Sequence, residues 1–355
     1  MRVGKPKVVS SPDRQACRFG RLAAFAGLLA IPSVGLLIYD MQDATPQQRR
    51  TPTETKQAVN SKPDTQVTQP ARGGLNARRA YSYLVKICRI GPRVSGTKGM
   101  SAQQKMIADH FSKFGAQLRF QSFDVIHPQS GTPVRMNNLV VSWDKQAKQR
   151  VLLACHYDTR PFPDRDRRNP QGRFIGANDG ASGVALFMEL AHQMKNLKPT
   201  YGVDFVFFDG EELVYSPQDK YFLGSEYFAK QYRDHPPEYR YVYGVLVDMI
   251  ADRNLNIYQE TNSVNYAPKL VGSIWQTARR LKVREFISRE KYEIRDDHIP
   301  LNEIARIPTC DIIDFDYRFW HTTRDVPAKC SGSSMVKVGR VLLQWLTEVP
   351  PPKPQ

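Results

Sequence analysis

Short runs of apolar residues recur along the chain, and they constrain the fold more than any other feature. They occupy residues 136–143, 150–155, 203–208, 242–247 and 308–313. The runs are nearly continuous and do not alternate with polar residues, which is typical of strands in a sheet that is covered on both faces. We therefore predict five buried strands at these positions.

Segments with helical spacing lie between the predicted strands. In residues 180–195, apolar side chains recur three or four positions apart, as on the buried face of a helix. Further helices are predicted at residues 225–232, 268–281 and 334–346. The alternation predicts a three-layer α/β/α fold with a central, mostly parallel, mixed sheet. Residues 76–348 are long enough to form one such domain with a sizeable core.

Two adjacent acids, Glu211 and Glu212, follow the predicted strand at residues 203–208. In open α/β sheets, ligands bind at the carboxyl ends of strands. Neighbouring acids there can divide two tasks, one as a proton carrier and the other as a metal ligand. A pair of glutamates is equally typical of a solvated helix start, where carboxylates interact favourably with the helix dipole.

Other metal-binding side chains also fall at predicted strand ends or in loops: His156, Asp158, Asp179, Asp248 and His321. Zinc accepts imidazole nitrogen and carboxylate oxygen, and a catalytic zinc site leaves one position open for water or substrate. Each residue alone has an ordinary structural explanation, such as helix capping by Asp179. Taken together, they indicate a metal site.

The ordered set His156-Tyr157-Asp158, Asp179, Glu211-Glu212, Asp248 and His321 resembles the zinc aminopeptidase family that has a co-catalytic metal site. Within this family, the chain is most similar to the glutaminyl cyclase branch, whose animal-type enzymes use a single zinc ion. Ser216-Pro217-Gln218-Asp219 resembles the cyclase loop, and Asp296-Asp297-His298 stands where ordinary aminopeptidases usually have Ser-Asp-His. The resemblance spans about residues 76–348 and implies the aminopeptidase-like fold.

The resemblance also implies roles for particular residues. The zinc ligands are expected to be Asp179, Glu212 and His321. Glu211 is then the catalytic proton-transfer residue, Asp248 and Asp296 complete its hydrogen-bond network, and Trp320 lines the substrate pocket. Two departures concern cysteines: Cys155 matches a half-cystine of some animal cyclases although Val184 stands where its partner would be, and Cys310 stands where cyclases can carry histidine.

Three classes of function remain open from the sequence. The first is a glutaminyl-peptide cyclotransferase with one zinc ion, which acts on peptide or protein N-termini. The second is a metalloaminopeptidase, in which His156 and Asp248 help to hold a second zinc ion that orients water. The third is a binding ectodomain without catalysis. Asp296 favours cyclisation if it lies close to Glu211, but Asp296-Asp297 also suits a solvated turn, and Trp320 also suits the core.

The N-terminal region has a different character. Residues 22–39 carry no charge over 18 positions, and six basic residues precede them against one acid. We predict that residues 1–40 form an uncleaved membrane anchor with an extracytoplasmic catalytic domain. A cleaved signal peptide is the alternative. Residues 41–75 are predicted to be a flexible polar tether, and residues 349–355 a proline-rich tail.

The net charge of +16 raises the question of a nucleic-acid partner. Residues 1–80 hold 13 basic and 5 acidic residues, so they account for 13 − 5 = +8, which is half of the excess. No nucleic-acid-binding motif is present in the sequence. A basic stretch, residues 165–168, could instead steer acidic substrates or lipid headgroups. We expect no nucleic-acid partner and a monomeric catalytic domain.

The pairing of Cys88, Cys155, Cys310 and Cys330 stays open.

Overall fold

The computed structural model describes residues 74–144 and 146–351. The strands are β1 (Gln117–Ile126), β2 (Pro133–Ser142), β3 (Gln149–His156), β4 (Gly202–Phe208), β5 (Arg240–Asp248), β6 (Ile257–Gln259), β7 (Phe286–Glu290) and β8 (Thr309–Ile313). The helices are α1 (Ala77–Ile90), α2 (Lys98–Phe111), α3 (Ala181–Met194), α4 (Leu223–Asp234), α5 (Thr261–Tyr266), α6 (Pro268–Arg280), α7 (His298–Glu303) and α8 (Gly332–Leu346).

Six strands form the central sheet in the order β1-β2-β4-β3-β5-β8. The pairs β3–β4, β3–β5 and β5–β8 are parallel. The pairs β1–β2 and β2–β4 are antiparallel. The sheet is therefore mixed and mostly parallel, as predicted. Strands β6 and β7 form a separate two-stranded sheet.

Helices cover both faces of the central sheet. Phe205 of β4 belongs to a large buried cluster that includes residues of α1, α2, α3, α6 and α8. The next residue, Val206, points to the opposite face and joins a smaller cluster with residues of α4 and α7. All seven residues of β4 are buried because helices exclude water from both sides. The predicted three-layer α/β/α architecture is thus confirmed.

The nine predicted elements are all present, with ends that differ by a few residues. Strand β1 was not predicted, and its burial explains why. It lies at the edge of the sheet, pairs only with β2, and keeps one residue, Phe123, fully buried. Its sequence is therefore largely polar and lacks the apolar run that identifies an interior strand.

The predicted anchor and nearly all of the predicted tether lie outside the described residues. Within residues 74–144 and 146–351, no helix combines the length and apolar character needed to cross a membrane. The described residues fall in one compact unit.

The parallel strands bring their carboxyl ends to one edge of the sheet. His156 is the last residue of β3 and Asp248 is the last residue of β5. Phe208, the last residue of β4, pairs in register with His156. The segment that contains Glu211 and Glu212 therefore leaves the sheet next to His156. The edge predicted to bind ligands is the edge where the acids and imidazoles meet.

Candidate active site

Asp179, Glu212 and His321 form a buried cluster at this edge of the sheet. Each offers a ligand atom, and these atoms all lie within 4.8 Å of one another. His321 Nε2 is 2.7 Å from Glu212 Oε1 and 3.5 Å from Asp179 Oδ2. The three residues come from the turn before α3, the loop after β4 and the loop between β8 and α8. Tertiary folding thus brings the three predicted zinc ligands together.

The cluster fits a zinc ion. Asp179 Oδ2 is buried and has no hydrogen-bond partner in the described part of the chain. Burial and the nearby charge of Glu212 raise the pKa of Asp179 to about 7. Such an uncompensated carboxylate is stabilised by a divalent cation. Zinc binds carboxylate oxygen and imidazole nitrogen, and three such protein ligands with an open side toward a cavity are the arrangement of a catalytic zinc site.

Two buried carboxylates hold the backbone that carries these ligands. Asp158 accepts hydrogen bonds from the backbone N–H groups of Glu211 and Glu212, at 3.2 and 2.9 Å. Asp325 accepts hydrogen bonds from the N–H groups of Asn178 and Asp179, at 2.8 and 3.1 Å. Both acids are fully buried. The sequence suggested Asp158 only as one of several metal-binding side chains and gave no role to Asp325, and neither was predicted to hold the backbone of the ligands.

The backbone at the site is unusual at two positions. Gly180, just before α3, has a φ of 82°, and a Cβ atom there would lie 2.4 Å from the carbonyl oxygen of Asp158. A glycine is therefore required where the Asp179 turn passes the end of β3. His321 has a φ of 54° although it is not a glycine. This left-handed conformation costs roughly 1–2 kcal/mol, and surrounding contacts must hold it.

Contacts on both sides of its ring fix His321. Its Nε2 atom contacts Glu212, and its Nδ1 atom lies 3.0 Å from Asp164 Oδ1. Burial lowers the pKa of His321, but the charge of Glu212 and the hydrogen bond to Asp164 outweigh that effect and raise it to about 9. Burial likewise raises the pKa of Glu212, but the charge of His321 dominates and the pKa falls to about 2. The two side chains therefore form a charged pair in this structure.

A second group of metal-binding side chains shares Asp179. His156, Asp179 and Asp248 also place their ligand atoms within 4.8 Å of one another. His156 Nε2 is 3.2 Å from both Asp179 Oδ1 and Asp248 Oδ1. The structure thus brings together both the first and the possible second set of metal ligands that the sequence suggested.

Glu211 lies beside the cluster and borders the cavity. Its side chain is 13% exposed, and Oε2 lies 3.8 Å from His156 Nδ1. Burial raises the pKa of Glu211 well above its usual range. The charge of His156 lowers this pKa, but the charges of Glu212 and Asp296 raise it further. A carboxyl group with a raised pKa beside a cavity is suited to carry a proton during catalysis.

Asp296 and Asp297 are both buried, so the alternative of a solvated acidic turn is wrong. Burial raises the pKa of Asp296 to about 6, and the charge of Asp248 adds to the effect. Asp297 accepts a hydrogen bond of 2.5 Å from the hydroxyl of Ser225. The Asp296 carboxylate is near enough to Glu211 to influence its titration.

A cavity of about 410 Å³ opens onto these groups. Among its lining residues are Asp179, Glu211, Glu212, Trp320 and His321. The ring of Trp320 is 4.8 Å from that of Phe315 and 4.2 Å from that of His321. Trp320 is therefore a wall of the cavity, packed against its neighbours on one side. The volume suits a small polar group with part of a peptide chain.

The four cysteines in the described residues, Cys88, Cys155, Cys310 and Cys330, are all buried and unpaired. Cys310 lies inside β8 and carries no polar contact into the cavity.

The sequence of residues 138–346 matches the family model described as Peptidase family M28. The match covers more than half of the chain. This protein belongs to peptidase family M28. Its mixed central sheet and flanking helices agree with the architecture of M28 relatives of known structure.

Several proteins to which the chain is similar are named as glutaminyl cyclases. The glutaminyl-peptide cyclotransferase of Bos taurus is 28% identical over 246 residues, which are 60% of this chain and 66% of the bovine protein. The crystal structure of Fimbriiglobus ruber glutaminyl cyclase is 41% identical, with a TM-score of 0.75, and the match covers 79% of this chain and 99% of that one. A leucine aminopeptidase precursor from Bacteroides thetaiotaomicron is 30% identical, with a TM-score of 0.72 over 78% of this chain and 98% of its own.

Proposed function

We infer that this protein is a glutaminyl-peptide cyclotransferase, which converts the N-terminal glutamine of peptides or proteins to pyroglutamate and releases ammonia. One observation carries this conclusion: the carboxyl group of Glu211, with its raised pKa, borders the cavity between the zinc-ligand cluster and the buried Asp296. The similar proteins from Bos taurus and Fimbriiglobus ruber bear the name of this activity.

The substrate supplies both reacting groups. Its α-amine nitrogen bonds to the γ-amide carbon of the same glutamine, and the bond from that carbon to the amide nitrogen breaks. Because both groups belong to one residue, most of the entropic cost of bringing them together is absent. The protein has to orient the glutamine, polarise its amide oxygen and move one proton.

Glu211 is the residue we assign to the proton transfer. It accepts a proton from the attacking amine and gives a proton to the departing nitrogen, which leaves as ammonia. The hydrogen bond between Asp158 and the Glu211 amide fixes the segment that carries this side chain. Burial and the charges of Glu212 and Asp296 raise the pKa of Glu211, so this carboxyl group can hold the proton that it accepts from the amine until it gives it to the departing nitrogen.

Asp179, Glu212 and His321 would hold one zinc ion. When bound, zinc acts as a Lewis acid that polarises the amide carbonyl.

Metalloaminopeptidase activity is the second candidate. The presence of His156 and Asp248 beside Asp179 favours it, since these residues are suitable ligands for a second ion. The similarity to a leucine aminopeptidase precursor points the same way. Two equally occupied zinc ions, both needed for turnover, would support hydrolysis over cyclisation.

The two activities are separated by incubating the purified protein with peptides that differ only in the first residue, glutamine or leucine. Cyclisation removes the mass of one ammonia from the glutamine peptide and leaves the leucine peptide unchanged. Proteolysis removes a whole residue. Loss of leucine without loss of ammonia from the glutamine peptide would refute the cyclotransferase assignment.

We further propose that the catalytic domain is monomeric and is held outside the cytoplasm by residues 22–39. This rests on the uncharged stretch and the basic residues before it. A reporter fused after Gln355 should be active only outside the cytoplasm, and the protein should resist extraction from membranes by carbonate. A soluble form that begins near Asp40 would support a cleaved signal peptide instead. Sedimentation of the catalytic domain tests its monomeric state.

A further inference from the structure

A basic loop, residues 160–169, forms one side of the cavity mouth. Contacts to the segment that carries His321 hold this loop in place. The backbone N–H of Arg165 donates to the carbonyl oxygen of His321 at 3.1 Å. The carboxylate of Asp166 accepts a hydrogen bond from the N–H of Thr323 at 2.9 Å. The position of the basic loop is thus fixed relative to a zinc ligand.

Arg165 places its guanidinium group on the wall of the cavity. The guanidinium carbon lies 3.9 Å from the centre of the Trp320 ring. Both side chains line the cavity, and Arg165 is exposed to solvent. Stacking on an indole orients the guanidinium plane and leaves its N–H donors at the edge free for another partner.

No carboxylate in the described residues lies within 4.0 Å of the Arg165 guanidinium. Its two neighbours in sequence are engaged elsewhere. Asp164 contacts Arg160 and His321, each at 3.0 Å. Asp166 accepts hydrogen bonds from Thr323 and from two backbone N–H groups of the basic loop. The charge of Arg165 is therefore not neutralised by the protein.

Two further exposed residues of the cavity lining carry one charge of each sign. Arg295 lines the cavity, is exposed, and has no ion-pair partner among the described residues, while Glu293 beside it contributes one negative charge. Deeper in the cavity, the carboxylates face His156, His321 and Arg160. Arg165 is therefore an exposed positive charge of the cavity lining that no carboxylate of the described residues neutralises.

We propose that Arg165 binds an acidic side chain that follows the N-terminal glutamine, so that the preferred substrates are glutamine peptides with Glu or Asp at the second or third position. The inference rests on the proposed function. The reacting amide must lie near Glu211, so the rest of the peptide leaves through the mouth past Trp320 and Arg165. A guanidinium fork binds a carboxylate through two parallel hydrogen bonds.

The test uses tetrapeptides that differ only at the second position: Gln-Glu-Ala-Ala, Gln-Gln-Ala-Ala and Gln-Lys-Ala-Ala, all with an amidated C-terminus. Amidation removes the terminal carboxylate, which would otherwise offer every peptide an anion. Ammonia release gives kcat/KM for each. We expect the Glu peptide to exceed the Gln peptide by roughly twofold to fivefold, the range of an exposed ion pair. High salt should reduce the difference.

Variants of the basic loop assign the effect to one residue. Arg165→Gln should abolish the preference for the Glu peptide over the Gln peptide, and Arg165→Glu should reverse the order so that the Lys peptide is favoured. Arg167→Gln is the matched control, because Arg167 is an exposed arginine of the same loop that does not line the cavity. That variant should keep the wild-type preference.

Equal kcat/KM for the Glu and Lys peptides in the wild-type protein would overturn the inference and leave the cyclotransferase assignment standing. A preference that survives Arg165→Gln would also overturn it. Absence of ammonia release from all three peptides would instead remove the proposed function, and the inference with it.

Discussion

Asp325 offers the sharpest test of how the fold builds the metal site. The residue is fully buried. Its Oδ1 accepts hydrogen bonds from the Asn178 N–H and the Tyr317 hydroxyl, at 2.8 and 2.7 Å, and its Oδ2 accepts from the Asp179 N–H at 3.1 Å. The substitution Asp325→Asn keeps the size of the side chain but replaces one acceptor oxygen by an NH₂ group.

The expected losses of stability and of zinc affinity follow from these contacts. Asparagine can keep its oxygen toward Asn178 and Tyr317, but its NH₂ group then faces the N–H of Asp179, which is left buried without an acceptor. Such a loss costs about 1–3 kcal/mol of the free energy of unfolding. Because the freed peptide carries a proposed zinc ligand, we also expect zinc affinity to fall by roughly 10- to 100-fold.

Both quantities are measured at pH 8, above the pKa of about 6 to which burial raises Asp325. Denaturant unfolding of the metal-free protein gives stability, and competition with a chromogenic chelator gives zinc affinity. Tyr317→Phe is the matched control, because it removes one hydrogen bond to the same carboxylate and leaves both amide contacts. It should lower stability by about 1 kcal/mol and leave zinc affinity unchanged. Wild-type zinc affinity in Asp325→Asn would refute this reasoning.

Two further predictions concern the acids of the cavity. Glu212→Ala should lose bound zinc, whereas Glu211→Gln should keep zinc and the fold but lose roughly 10²- to 10⁴-fold in turnover. Metal analysis and the rate of ammonia release check both variants. A near wild-type rate for Glu211→Gln would disprove its role in proton transfer. Asp296→Asn removes one of the charges that raise the pKa of Glu211, so the acidic limb of the pH–rate profile should move to lower pH and the rate should fall by about 10-fold or more. An unchanged profile and rate would show that Asp296 does not act on Glu211.

Two residues of the site depend on an unusual backbone conformation. Gly180 and His321 both have left-handed backbone conformations next to ligand atoms. A side chain at Gly180 would meet the carbonyl of Asp158, whereas His321 is held in place by its contacts to Glu212 and Asp164. The backbone around the ligands is thus held by packing and hydrogen bonds, which keeps the ligand atoms close together.

The sequence by itself determined the layer architecture. Strands β3, β4, β5 and β8 are buried on both faces, so each had to be an apolar run, and such runs are visible without a structure. The parallel order of these strands then places their carboxyl ends at one edge. For this reason the residues that cluster at this edge could be grouped from sequence position and family resemblance.

Only the tertiary structure decided which polar residues act on one another. Asp296 lies 85 positions after Glu211 in the chain, and its burial beside the site depends on the packing of α7 against α4. The sequence marked Asp158 only as a candidate metal-binding side chain and did not single out Asp325, so their roles as acceptors for ligand-bearing amides are visible only in the folded chain. The free charge of Arg165 likewise depends on where Asp164 and Asp166 point. The pattern of apolar residues in the sequence predicts which residues are buried. Hydrogen-bond partners, in contrast, depend on distances between residues that are set only when the chain has folded.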